Sequence, residues 1–363
     1  MQHRIRFARV ISALGLLLVT TGGLLGQSPG LGIELPPALG GDGATATAVV
    51  GNLPALHAGD RFAARDSLDI GLESSADARQ CLQELAWPPT AFEVQLEPSV
   101  EQQWDWLVRF PSARPIGVAD NDLAAMEWYQ ARDDQGQLLV APAVVVVHES
   151  GSGMTVGRLI ARALRSEGVH AFMLQLPYYG VRRGEGAKPQ GTQLMDALCQ
   201  SVVDARRARD AVAALPGVDK QHISLQGTSL GGFVTATVAG LDRGYHSVFI
   251  LLAGGDLLGV LTEGKKDAVK VRQAMQPAGM SDVDFAQMID RVEPLRLAHR
   301  VDAGRVWLYS GRLDDVVPSK SSDLFASAAG LQPEHHIKLL ANHYSGIIFL
   351  PMISQQISRR MRE

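Results

Sequence analysis

Cysteine is scarce in this chain of 363 residues: there are two, Cys81 and Cys199. Two cysteines cannot build the disulfide framework of a small secreted scaffold. They pair once in an oxidising compartment or stay as thiols, and Cys199, on a helix-patterned stretch among apolar neighbours, suits a buried thiol equally well. Basic runs are missing too. The formal net charge is −4 and no long Lys/Arg stretch follows the N-terminus, which excludes the usual nucleic-acid-binding footprint. No internal period is present, so solenoids and arrays are excluded. Beyond residue 26 no segment is apolar over the roughly 20 residues that a membrane helix requires. What remains is 46% hydrophobic and 20% charged, a balance that supports a large core and argues against disorder.

The N-terminus is patterned for export. Arg4, Arg6 and Arg9 form a positive region, Val10–Val19 is an apolar run, and small residues continue to Gly26. This is the layout of a secretory signal peptide over residues 1–26, implying a periplasmic or secreted protein. The alternative is an uncleaved anchor, for which the apolar run is short. Residues 27–90, rich in Gly, Ala and Pro, read as a linker and N-terminal extension with helix over part of Ala63–Leu85.

The domain expected over residues 91–363 opens with strand patterns at Ala91–Leu96, Asp105–Phe110 and Asn121–Arg132, and after a fourth at Ala143–Val147 strands and helices alternate. Ala143–Val147 is a continuous apolar run, as in a strand buried on both faces. Helical stripes over Met154–Ser166, Gln193–Leu215 and Leu230–Ala239 separate further strands at Val169–Leu176, Ile223–Gln226, Ser247–Leu252, Arg305–Tyr309 and Ile337–Leu340. Such alternation implies an α/β domain with a mostly parallel central sheet and helices on both faces. An insert between Leu252 and Arg305 is longer than a plain crossover. Its Leu257–Val292 part reads as a small helical cap, with a capping box at Ser281 and Asp284; the other reading is an extended crossover away from any site.

The chemistry centres on Gly227-Thr228-Ser229-Leu230-Gly231, a G-x-S-x-G between an apolar strand and a helix. A turn this tight needs small residues two before and two after the serine, and it presents the hydroxyl at the carboxyl edge of the sheet. A serine hydroxyl needs a base, and the base needs a carboxylate that fixes its tautomer. His343, directly after the last strand, is the candidate base among ten histidines. Asp314 is the candidate acid, favoured over its neighbour Asp315, with Asp256 a minor option. Oxyanion donors are expected at the Leu230 N–H and in the loop His148–Gly153, from Ser150 or, next, Gly151.

These motifs, with the loop Leu174–Gly184 (LQLPYYGVRRG), resemble the α/β-hydrolase superfamily, in particular its exported serine esterases and dienelactone-hydrolase-like members. The resemblance implies the α/β-hydrolase fold, hydrolysis of small-molecule carboxylic esters through an acyl-enzyme, and no cofactor or metal. It makes Tyr178, Tyr179 and Arg182 candidate substrate contacts. One departure is Glu149, where many members have glycine; a carboxylate there opposes an oxyanion, so its side chain is expected to face outward. Competing expectations are a prolyl-oligopeptidase-type peptidase, for which the stretch before the domain is too short to hold a propeller, and a non-catalytic binding module of the same fold. A haloperoxidase or C–C hydrolase would share the same residues.

Overall fold

In the computed structural model, which describes residues 53–99, 103–184, 189–277 and 279–363, ten strands join in one sheet. The expected signal segment, residues 1–26, lies outside the described residues. The strands are β1 (Arg61–Arg65), β2 (Ala91–Pro98), β3 (Trp106–Pro111), β4 (Leu123–Tyr129), β5 (Ala141–Val147), β6 (His170–Gln175), β7 (Val218–Thr228), β8 (Val248–Leu251), β9 (Val306–Gly311) and β10 (His336–Leu339). Their order across the sheet is β1-β2-β3-β4-β6-β5-β7-β8-β9-β10. The first four strands run antiparallel to their neighbours, β4 against β6 included. From β6 to β10 every pairing is parallel.

The alternation of side chains along β5 explains why the parallel half needs helices on both sides. Ala143, Val145 and Val147 belong to one core, while Val144 and Val146 belong to the other. The first core is closed by α1 (Ala76–Leu85), α3 (Thr192–Ala213) and α4 (Leu230–Ala239), the second by α2 (Thr155–Ser166) and α9 (Leu350–Arg360). Leu159 lies on the apolar stripe of α2 beside Ile160 and Leu164, yet it is 37% exposed.

Part of the stretch read as linker is built into the sheet. β1 pairs with β2, Arg61 opposite Gln95 through Arg65 opposite Ala91, and α1 buries Cys81, Leu82 and Leu85. Nothing in Arg-Phe-Ala-Ala-Arg announces a strand, since it lacks β-branched residues. Its place comes from the ladder with β2 and from Asp66, which follows it and holds the Arg207 guanidinium at 2.9 Å. Cys81 and Cys199 are buried free thiols. Burial pushes them up to about 12 and about 11, which makes them inert as nucleophiles.

The insert between β8 and β9 folds as α5 (Leu257–Glu263), α6 (Asp267–Met275) and α7 (Asp282–Asp290), and α8 (Ser319–Ala328) follows β9. Ser281 caps α7, accepting the Asp284 N–H at 3.1 Å, and Phe285, Met288 and Ile289 face the core. Among the described residues no helix is long and apolar enough to cross a membrane, and no cluster of His, Cys, Asp and Glu is arranged to hold a metal ion.

Candidate active site

Ser229 joins β7 to α4 at φ 54°, ψ −116°, backbone angles that cost a residue with a side chain about 1–3 kcal/mol. The flanking glycines make the turn passable. A Cβ at Gly227 would collide with the Gly231 carbonyl and the Thr235 hydroxyl, and one at Gly231 with the carbonyls of Val147 and His148. The Ser229 N–H donates to the Leu251 carbonyl at 2.9 Å, tying the turn to the end of β8. Behind it α4 buries Phe233, Val234 and Val238, each worth about 1.5–3 kcal/mol when fully removed from water. That burial offsets the strain.

The structure brings the three expected side chains into one hydrogen-bonded series. Ser229 Oγ lies 2.9 Å from His343 Nε2, and His343 Nδ1 lies 2.7 Å from Asp314 Oδ2. His343 is 9% and Asp314 1% exposed, so water does not compete for the inner bond. Asp314 Oδ1 accepts the N–H groups of Val316 and Val317, both at 2.9 Å, which aims its other oxygen at the imidazole. Asp315 points elsewhere: it pairs with Lys266 at 3.0 Å, and that ammonium holds its carboxyl below the ordinary range. Asp256 caps α5 by accepting the Gly259 N–H at 3.0 Å, so it is not an alternative acid.

The expected oxyanion donors lie at the start of α4 and in the loop after β5. Leu230 opens α4, so its N–H has no intrahelical partner. In the loop after β5, two side chains set the peptide planes. His148 Nδ1 donates to the Glu149 carbonyl at 2.6 Å, and its Nε2 accepts from the Leu176 N–H at 3.1 Å. Burial pushes this ring down to about 4, so it is neutral with the proton on Nδ1. Tyr179 Oη donates to the Ser150 carbonyl at 3.0 Å. In a trans peptide the N–H points opposite to the carbonyl, so His148 directs the Ser150 amide and Tyr179 directs the Gly151 amide.

Glu149 does not face outward as expected. Its carboxylate turns back onto the start of α2 and accepts the N–H groups of Val156 at 3.1 Å and Gly157 at 3.0 Å. The residue before α2, Met154, offers no side-chain cap, so Glu149 supplies the missing acceptors and the helix N-terminus stabilises its charge. Glu149→Ala is therefore expected to lower stability by about 1 kcal/mol, read from thermal unfolding with ester turnover on the same samples. A variant that gained both stability and activity would show that the carboxylate works against the site.

Of the three candidate substrate contacts in Leu174–Gly184, only Tyr179 reaches a cavity near Ser229. Tyr178, at φ 67°, donates its backbone N–H to Asn121 Oδ1 at 2.7 Å and lines neither that cavity nor the one that holds Ser229. Arg182 is fully buried and bonds Asp204 at 2.6 Å, with further bonds to the carbonyls of Gln175 and Asn121. It is a packed structural cation, drawn inward by an aspartate on α3 that sequence proximity does not reveal.

Sequence reasoning missed the clasp between the insert and the site. Asp267, first residue of α6, accepts from Tyr344 Oη at 3.0 Å, and the Tyr344 ring stands edge-on to His343 at 5.7 Å. Lys266 lies over the Tyr344 ring at 5.2 Å while bonding Asp315. The insert thus grips the loops of both His343 and Asp314, which decides between cap and remote crossover in favour of contact with the site. The only available signal was an unremarkable Lys-Lys-Asp run. A cavity of about 350 Å³ opens over Ser229 and His343, walled by Val156, Ile160, Leu251, Leu350 and Ile353.

No protein-family model matches this chain, and no curated protein matches its sequence. Solved structures do. An acetyl xylan esterase from Paenibacillus sp. R4 superposes with a TM-score of 0.55 at 15% identity, covering 81% of this chain and 96% of its own. Acetyl xylan esterase 1 from Thermoanaerobacterium sp. JW/SL YS485 gives 0.51 at 16% identity, covering 78% and 92%. With its parallel half-sheet, two helical layers and a serine at the strand-to-helix elbow, the chain has the α/β-hydrolase fold.

Proposed function

We propose that this protein is an exported serine hydrolase that cleaves carboxylic esters. The observation that carries the reading is the series Ser229–His343–Asp314, with distances of 2.9 and 2.7 Å, at the floor of an apolar cavity. In the proposed reaction Ser229 Oγ attacks the ester carbonyl while His343 Nε2 takes its proton, and Asp314 stabilises the imidazolium. The carbonyl electrons move to oxygen, which the N–H groups of Leu230 and Ser150 receive. The C–O bond then breaks, His343 returns the proton to the leaving alcohol, and water repeats the sequence on the acyl-enzyme. Every proton and electron pair is handled by these groups, so the cycle calls for no cofactor. That two solved structures of this fold are named acetyl xylan esterases is consistent with ester chemistry.

The test is labelling with a fluorophosphonate, which reacts with an activated serine. The wild-type protein is expected to label and to turn over p-nitrophenyl esters. Ser229→Ala is expected to lose the label and at least about 10³-fold in kcat. Retained labelling in the variant, or a folded wild type that neither labels nor turns over, would refute the proposal and bring the binding-module reading forward. Export rests on Arg4, Arg6, Arg9 and the apolar run Val10–Val19; N-terminal sequencing of the protein recovered outside the cytoplasm checks it, with a start near residue 27 expected.

A further inference from the structure

Two neighbouring cavities share Ser150 and Asp267 in their walls. The one of about 350 Å³ holds both Ser229 and His343 and runs between α2 and α9. A second, of about 490 Å³, lies between α3 and α6 and is lined by Leu230 but by neither Ser229 nor His343. In the shared wall Asp267 is fixed by Tyr344 Oη at 3.0 Å and Lys270 Nζ at 2.9 Å, so it stands as a post between the chambers.

We infer that the site takes esters with a medium-sized apolar group on each side of the scissile bond, the acyl group lying in the chamber under α6 and the alcohol group in the chamber beside His343. This rests on the serine-hydrolase reading. The assignment follows from where the bonds break. The leaving oxygen must receive its proton from His343 Nε2, so the alcohol lies on the His343 side. The carbonyl oxygen points at the Leu230 and Ser150 amides. The remaining substituent on the tetrahedral carbon, the acyl chain, then falls on the side away from His343, toward the second chamber, which Leu230 and Ser150 line and His343 does not. Leu198, Val271 and Met275 make that chamber apolar, and Ile160, Leu350 and Ile353 do the same for the first. A water occupies about 30 Å³ of liquid. A lone acetyl methyl would therefore leave the larger chamber nearly empty and its walls without contacts. The structure thus separates this site from one built for acetyl groups.

The experiment is a two-way ester series followed by pH-stat titration: acetate to octanoate at fixed alcohol, and methyl to octyl alcohol at fixed acid. It is run on the wild type, Val271→Trp and Ile347→Trp. Both substituted residues line the cavities and are partly exposed, so the larger ring fills space rather than splitting the core. In the wild type, kcat/KM is expected to rise along both series. Val271→Trp should cut the longer acyl groups by about tenfold or more relative to acetate while sparing the alcohol series; Ile347→Trp should do the reverse. A wild type that favours acetate over hexanoate, or variants whose effects fall on the opposite series, would overturn the inference. Fluorophosphonate labelling of the same samples separates the two failures, since loss of wild-type labelling refutes the hydrolase reading itself, whereas intact labelling with the wrong chain preference refutes only the chamber assignment.

Discussion

Asp314→Asn is expected to lower kcat by about 10⁴-fold, or about 5.5 kcal/mol in barrier, while Asp315→Asn stays within about threefold. The two residues are neighbours in sequence with the same side chain, so the contrast isolates geometry. Asp314 Oδ2 accepts a hydrogen bond from the His343 Nδ1–H at 2.7 Å, which leaves Nε2 bare and able to accept from Ser229. Its other oxygen is held by two backbone N–H groups. An asparagine keeps that anchored oxygen on the backbone and so turns its NH₂ toward the ring. The imidazole then accepts at Nδ1, carries its proton on Nε2, and cannot take one from serine. Asp315 instead bonds Lys266 near the surface, where an ion pair contributes little. Steady-state kinetics on a p-nitrophenyl ester, with thermal unfolding to confirm that both variants fold, makes the measurement. If Asp315→Asn caused the larger loss, the acid would be misassigned.

The order of elements from β2 onward was legible because each carries its own period. The apolar run of β5 and the stripes of α3 and α4 announce burial locally. Ser229, Asp314 and His343 were legible for a related reason: a strand end, a glycine and a turn constrain what can stand beside them, so their meeting could be anticipated from spacing. Features set by distant partners were not. β1 is a strand because β2 offers it a ladder. Glu149 was read as a threat to the oxyanion, yet the nearby helix start has unfilled N–H groups and captures it. Asp267 gains its position from Tyr344, and no pattern links an insert to a loop so far along the chain.

Arg182 is the sharpest case, and it yields the second large effect. The loop that carries it looked like the wall of a substrate cleft, which would make Arg182→Met a binding defect with unchanged stability. The structure predicts the reverse. Arg182 and Asp204 are both 0% exposed. Burial pushes the Asp204 carboxyl above its ordinary range, against the pull of Arg182 and of Ser112, whose hydroxyl donates to it at 2.5 Å. Truncating one partner leaves a charge inside the protein with no counter-ion, which costs about 3–5 kcal/mol, a large share of the 5–15 kcal/mol typical of a folded domain. Asp204→Ala is therefore expected to lose about that much in urea unfolding, while its folded fraction keeps the wild-type KM. The paired change Arg182→Met with Asp204→Leu removes both charges and substitutes apolar volume, so it should be more stable than the single variant. The Gln175 and Asn121 carbonyls that Arg182 satisfied would remain unpaired, so recovery should stop short of the wild type. A single Arg182→Met that raised KM without touching stability would return this arginine to the substrate.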